Sequence, residues 1–195
     1  MGLDRIEAKL FRAYWDDGLL DVFCGLGVVG IGVCWLVDLV PLGALLPATL
    51  IPMWGPLRKR WVEPRAGLVE FSEARSSRNR RFLRSALWLG VGALCSFLSL
   101  FWWLRGARAA PLLPSAIPAL PAVLVACPAA LTAFALGLPR FLGHAGILVA
   151  CGIFAALADA EPGVSLVAGG ALVTIAGARL LASFLQLPTE EEEAE

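Results

Sequence analysis

Asp21, His144 and Arg179 place charge or a titratable ring inside apolar runs, and Asp17 stands one helical turn before Asp21. A charge at the centre of a membrane helix costs about 2.5–3.5 kcal/mol on insertion scales, so each needs a partner or a route to water. Asp17 and Asp21 are one helical turn apart where the first apolar run begins. Arg179 lies about 12 Å of helix from the end of the last run, and His144 stands just inside the fifth. If those ends share one side of a membrane, the four groups share a depth. The chemistry they then offer is an Asp21–Arg179 ion pair with His144 beside it, an intramembrane polar cluster. Two simpler arrangements compete with it: Arg179 extending its side chain to the interface, and Asp21 solvated at the boundary.

Other chemistries have little to work with. His144 is the single histidine and has no carboxylate near it in sequence, a poor start for zinc or haem. The five cysteines, Cys24, Cys34, Cys95, Cys127 and Cys151, all lie in apolar runs and form no C-x-x-C pair. They read as small hydrophobes. Gly25, Gly27 and Gly30 spell G-x-G-x-x-G, but that motif cradles a dinucleotide only after a strand. Within an apolar run, small residues let helices approach closely. Gly170, Thr174, Ala178 and Ala182, recurring every fourth residue, read the same way, either as packing inside one subunit or as a homo-oligomer interface. No nucleophile has a base to activate it. We therefore expect no enzyme, no cofactor and no metal.

The elements that must position these residues follow from composition. Apolar residues make up 58% of the 195 and charged residues 16%, against about 45–50% and 25% in soluble domains. That excludes a disordered chain, a disulfide scaffold and an ordinary soluble enzyme. The fold class expected is all-α, a polytopic transmembrane helix bundle, since a span needs about 20 apolar residues. Six spans are expected, near 19–40, 42–57, 84–104, 117–138, 141–158 and 164–187. The second carries Pro41, Pro47, Pro52 and Pro56 and reads as a kinked span or a re-entrant segment. Residues 1–188 then form one membrane domain, with an amphipathic helix at 3–15, a basic loop at 58–83 and an acidic tail at 189–195. No stretch outside the spans reaches the roughly 50 residues of a soluble domain. The charged N-terminal segment and the length of the first run do not read as a secretory signal.

The formal net charge is zero, yet residues 58–84 hold nine of the 16 basic residues. Short basic loops stay in the cytoplasm, which places both termini there too. Arg140 fits that scheme; Arg105 and Arg108 count against it. Tyr14, Trp15, Trp54 and Trp61 would line the inner interface, and Trp35, Trp102 and Trp103 the outer one. Asp38, Asp159 and Glu161 read as solvated outer-loop charges. The loop residues Arg58, Lys59, Arg60, Arg65, Arg78, Arg80 and Arg81 suit anionic lipid, or serve only as the topology signal. Interrupting carboxylates and the lack of a folded module speak against nucleic acid.

Two segments carry a resemblance. Tyr14-Trp15-Asp16-Asp17-Gly18-Leu19-Leu20-Asp21 opens the first span, and Glu63-Pro64-Arg65-Ala66-Gly67-Leu68-Val69 follows the second. Together they resemble small multi-pass bacterial membrane proteins with an aromatic-acidic-Asp-Gly-Leu opening and a Pro-Arg-x-Gly-(Tyr)-Val segment. The likeness covers residues 14–72, with Leu68 where Tyr is expected. It implies a repeated architecture in a bacterial inner membrane and no assigned activity. It also adds Gly18, Pro64 and Gly67 to the residues of interest. The function expected is a non-catalytic scaffold or accessory subunit of a membrane complex. The alternative is a small oligomeric transporter or channel.

Overall fold

The computed structural model describes residues 17–66, 117–136 and 138–186, all helices and the turns that join them, with no strand among them. In chain order these are α1 (Leu19–Leu36), α2 (Val40–Trp61), the single turn α3 (Glu63–Ala66), a 3-10 turn (Ile117–Ala119) running into α4 (Leu120–Leu136), α5 (Arg140–Leu157) and α6 (Pro162–Leu185). Three of them, α1, α5 and α6, are long and apolar enough to cross a membrane. The apolar helix α4 is shorter, at 17 residues. Helix α2 has 22 residues, or about 33 Å of rise.

Two hairpin turns are built alike. After α1, Asp38 adopts φ 59°, and after α5, Asp159 adopts φ 54°. In each, the next residue donates its N–H back across the turn: Leu39 to the Cys34 carbonyl at 2.8 Å, Ala160 to the Ala155 carbonyl at 2.9 Å. Such left-handed caps satisfy the last carbonyls of a helix and reverse the chain within three or four residues. Aspartate tolerates that backbone conformation better than most residues with a side chain. Both are exposed.

Helices α1 and α6 pack antiparallel along a glycine seam. Gly18, Gly25 and Gly32 recur every seven residues on α1, and Gly163, Gly170 and Gly177 do so on α6. They face one another in reverse order. A Cβ on Gly170 would fall 2.9 Å from the Gly25 carbonyl oxygen and 2.7 Å from the Val29 nitrogen. A Cβ on Gly32 would fall 2.9 Å from the Gly163 carbonyl oxygen. These contacts are with backbone, so neither helix can yield without moving as a whole. A seven-residue repeat is the period that keeps one seam facing its partner. The four-residue stripe read on α6 divides between this seam and the surface of the chain. Gly170 and Thr174 lie in the seam, but Ala178 and Ala182 are exposed. Each four-residue step overshoots a turn by about 40°, so the stripe rotates out of the contact.

The remaining packing closes the bundle. Ala126, Ala145 and Leu148 form a core between α4 and α5. Ala133, Leu138 and Phe141 form a second, with Leu20 of α1 against it. At the opposite end, Gly152 approaches Ala119 and Ala122, and the Ser165 hydroxyl lies 3.5 Å from the Pro118 carbonyl oxygen it donates to. One end of the bundle therefore gathers the start of α1, the ends of α2, α4 and α6, and the start of α5. The other end gathers both hairpin turns and the 3-10 turn.

Some boundaries differ from expectation. The first run ends at Leu36, where the Asp38 turn intervenes, and not at residue 40. The second helix runs past residue 57 to Trp61, so Arg58, Lys59 and Arg60 form its last turn and do not begin a loop. Hydropathy falls there, but cations suit the negative end of a helix dipole, and the backbone continues. The expected amphipathic helix at 3–15, the span at 84–104 and the tail at 189–195 lie outside the described residues.

Candidate functional site

The buried charges gather at the end of the bundle where α1 begins. Asp17 precedes the helix and uses both carboxylate oxygens. Oδ1 accepts the Leu19 N–H at 2.8 Å, satisfying one of the donors left over at a helix start. Oδ2 lies 3.2 Å from Nη1 of Arg58 in the last turn of α2. The Arg58 guanidinium also sits 5.1 Å from the centre of the Trp54 ring, a cation–π contact one turn back along its own helix. Both partners are nearly inaccessible, at 1% and 3% exposure. Burial lifts the Asp17 carboxyl above its ordinary value, while Arg58 and the Leu19 N–H pull it down.

One turn on, Asp21 is fully enclosed, at 0% exposure. Its Oδ2 lies 3.4 Å from Nη1 of Arg140, and its Oδ1 lies 3.7 Å from Nδ1 of His144. The first is an ion pair; the second exceeds hydrogen-bond length. Phe141 contacts both basic groups. Its ring meets His144 edge-on at 5.2 Å and lies 5.7 Å beneath the Arg140 guanidinium.

Helix ends account for the signs. Carboxylates suit the start of α1 and a cation suits the end of α2. Arg140 opens α5, where a cation opposes the dipole. Its place there is explained by Asp21 across the interface. Helix α6 contributes proximity and no charge to this contact: Gly177 lies against Asp21, and a Cβ there would fall 2.7 Å from the Asp21 Cβ. Gly18 is required twice over. Its φ is +76°, and a Cβ would fall 2.6 Å from the Gly177 carbonyl oxygen. The Asp-Gly-Leu opening thus supplies a capping carboxylate, a left-handed close contact and a core side chain, Leu19, 1% exposed.

Of the four residues expected to cluster, the structure brings together Asp17, Asp21 and His144. Arg179 is exposed and stands apart from them. Gly177 faces Asp21, and two residues further along a helix is about 200° around it. The partner of Asp21 is Arg140, which sequence reasoning used only for topology. Arg58, placed in a surface loop by that reasoning, is a buried member of the cluster. A usable signal was present at position 140: a lone cation at the start of an apolar run faces the wrong dipole and so calls for an anion.

The other loop residues divide. Lys59, Arg60 and Pro64 are exposed, and Arg65 donates from Nη1 to the Trp61 carbonyl at 3.3 Å. Gly67, Arg78, Arg80 and Arg81 lie outside the described residues. Among those described, no group of His, Cys, Asp and Glu side chains could hold a metal ion. The arrangement can hold opposite charges in a fixed geometry across three helices, two carboxylates against two guanidiniums. Searches for related proteins return no match for this chain among family models, curated proteins or solved structures.

Proposed function

We propose that this chain is a six-span, non-catalytic membrane protein, a scaffold or accessory subunit whose charged cluster locks its helices at the cytoplasmic end. The observation that carries this reading is the mutual engagement of the buried charges. Asp17 meets Arg58 and Asp21 meets Arg140, so each charge is used to join helices. Beyond the cluster the α1–α6 seam is backbone against backbone, and Thr174 donates its hydroxyl to its own helix at Gly170.

Two further observations support the topology. The described chain leaves the bundle at the cluster end, at Ala66, and re-enters at the opposite end, at Ile117. One more crossing between them, at 84–104, gives six. The described basic residues, Arg58, Lys59, Arg60, Arg65, Arg140 and Arg179, belong to the cluster half, whereas Asp38, Asp159 and Glu161 mark the other end. The positive-inside rule then orients the cluster to the cytoplasm, with both termini on that side. In this reading Asp17, Gly18 and Leu19, with Asp21 one turn on, are the helix lock itself.

The rival reading, a small oligomeric transporter or channel, draws on Asp21 and His144 lying side by side in the interior. Purification in mild detergent, followed by ion and proton flux measurements on liposomes, separates the two. A stoichiometric co-purifying protein without flux is the expected result. Flux by the purified chain alone, lost in Asp21→Asn, would replace the scaffold reading with the transport one.

A further inference from the structure

We propose that the outer side of the last turn of α2, formed by Lys59, Arg60 and Trp61, is a docking surface for anionic phospholipid headgroups. Three consecutive basic residues end this helix, and the helix divides them. Arg58 turns inward, 3% exposed, and is engaged by Asp17. Lys59 and Arg60 are exposed, as successive side chains 100° apart require when the first is buried. Trp61 beside them is 40% exposed, an amphipathic ring of the kind that settles at headgroup level.

Height along the helix selects the ligand. Exposed apolar side chains run down α2 from Leu42 and Leu45 to Met53, at 52%, 59% and 54% exposure. That surface stops one to two turns short of Lys59. The two cations therefore stand where hydrocarbon gives way to phosphate. Both buried carboxylates are committed to Arg58 and Arg140 and do not neutralise the patch. Among the described residues the carboxylate nearest to Lys59 and Arg60 in sequence outside the buried cluster is Glu63, which is half-buried. Arg60 can fork onto a phosphate, and Lys59 adds a point charge. Continuity with the apolar strip favours a lipid, which carries acyl chains below its phosphate. The chain's own acidic tail, Glu190–Glu193 with Glu195, matches the charge but not the strip.

The test compares the full chain with a Lys59→Gln/Arg60→Gln variant in nanodiscs of mixed phosphatidylcholine and phosphatidylglycerol. Lipid retained after mild detergent extraction is counted by native mass spectrometry. The wild type should retain phosphatidylglycerol preferentially. Each charge removed should lower that preference about fivefold, from the energy of one basic residue at an anionic surface. The charge-keeping swap Lys59→Arg/Arg60→Lys should restore it, and thermal melts should leave all three proteins equally folded. An unchanged ratio in the Gln variant overturns the proposal. So does a preference that the full chain lacks and that emerges only when residues 189–195 are deleted, which would make the tail the occupant. Full displacement of the lipid by inorganic phosphate would equally overturn it, by reducing the site to a simple anion contact.

Discussion

Helix α1 is held in two places by two unlike kinds of contact. At its start, Asp17 and Asp21 reach across to Arg58 and Arg140 at 3.2 and 3.4 Å. Along its length, glycines bring its backbone against that of α6. The first contact is directional and chooses which helices meet. The second is dispersive and sets how closely they meet, which matters where apolar lipid offers no hydrophobic gain for helix association. The two converge at Gly177, which lets α6 cover Asp21 and so makes the charge cluster dry. Charge alone would leave Asp21 wet and weakly held; glycine alone would allow α6 to slide by a heptad.

The comparison breaks hardest at the inner pair. Arg140→Gln leaves the Asp21 carboxylate enclosed and without its guanidinium. Breaking a buried pair by removing one partner costs about 3–5 kcal/mol. Detergent-solubilised protein should unfold correspondingly earlier in denaturant. The double variant Asp21→Asn/Arg140→Gln should recover much of the loss, because neither charge remains to be desolvated. A double variant as unstable as the single one would remove the pairing from the account.

The outer pair yields a smaller effect with a pH signature. Asp17 keeps its bond from the Leu19 N–H when Arg58 is replaced, so Arg58→Gln should cost about 3 kcal/mol at neutral pH, the lower end for a buried pair. Burial already lifts the Asp17 carboxyl, and loss of Arg58 removes the main influence pulling it down. A carboxyl whose folded value is raised stabilises the fold when protonated and ceases to as pH rises through that value. The stability gap between Arg58→Gln and wild type should therefore narrow on acidification. A gap independent of pH would mean that Asp17 does not carry the buried charge assigned to it.

The seam should respond next. Alanine at Gly170 drives a Cβ against the Gly25 oxygen and the Val29 nitrogen, and overpacking of this kind costs about 1–3 kcal/mol. Gly55 on α2 is the control, since a Cβ there meets nothing within 4 Å. Gly55→Ala should be neutral or stabilising by up to about 1 kcal/mol through helix propensity. Thermal melts of the two variants side by side sharpen the contrast. Equal destabilisation by both would show that glycine acts through the backbone in general and not through close approach.

These two contacts were not equally legible in the sequence. Asp17, Asp21 and His144 could be brought to one end because a charge in an apolar run is conspicuous and helical rise fixes its depth. Their partners could not be chosen, because depth does not give azimuth: Arg140 and Arg179 stand on the same side of the bundle, and only rotation about each helix separates them. Arg58 was hidden by its neighbours, since a run of basic residues reads as surface until the helix is known to continue through it. The seam was hidden by its period. Gly25 and Gly170 stood out as small residues, but seven-residue spacing on two helices far apart in the chain becomes a signal only when the helices are known to pair. The apolar runs gave α5 and α6 to within two residues, because hydropathy changes where those helices end.

Arg179 gives the smallest effect and the sharpest separation between the two candidate partners of Asp21. It is exposed on α6, six residues or about 9 Å from the helix end, within reach of the interface for a long side chain. Its replacement removes no buried contact, so Arg179→Gln should change stability by no more than about 0.5 kcal/mol. Charge exchange makes the contrast explicit. Asp21→Arg/Arg179→Asp should be as unstable as Asp21→Arg alone, because the two positions face different directions on their helices. Asp21→Arg/Arg140→Asp should regain part of the loss, since those two side chains meet and the exchange preserves their attraction. Rescue by position 179 and none by position 140 would reverse the assignment and require α6 to be rotated by about half a turn, which would take Gly177 away from Asp21 and open the glycine seam.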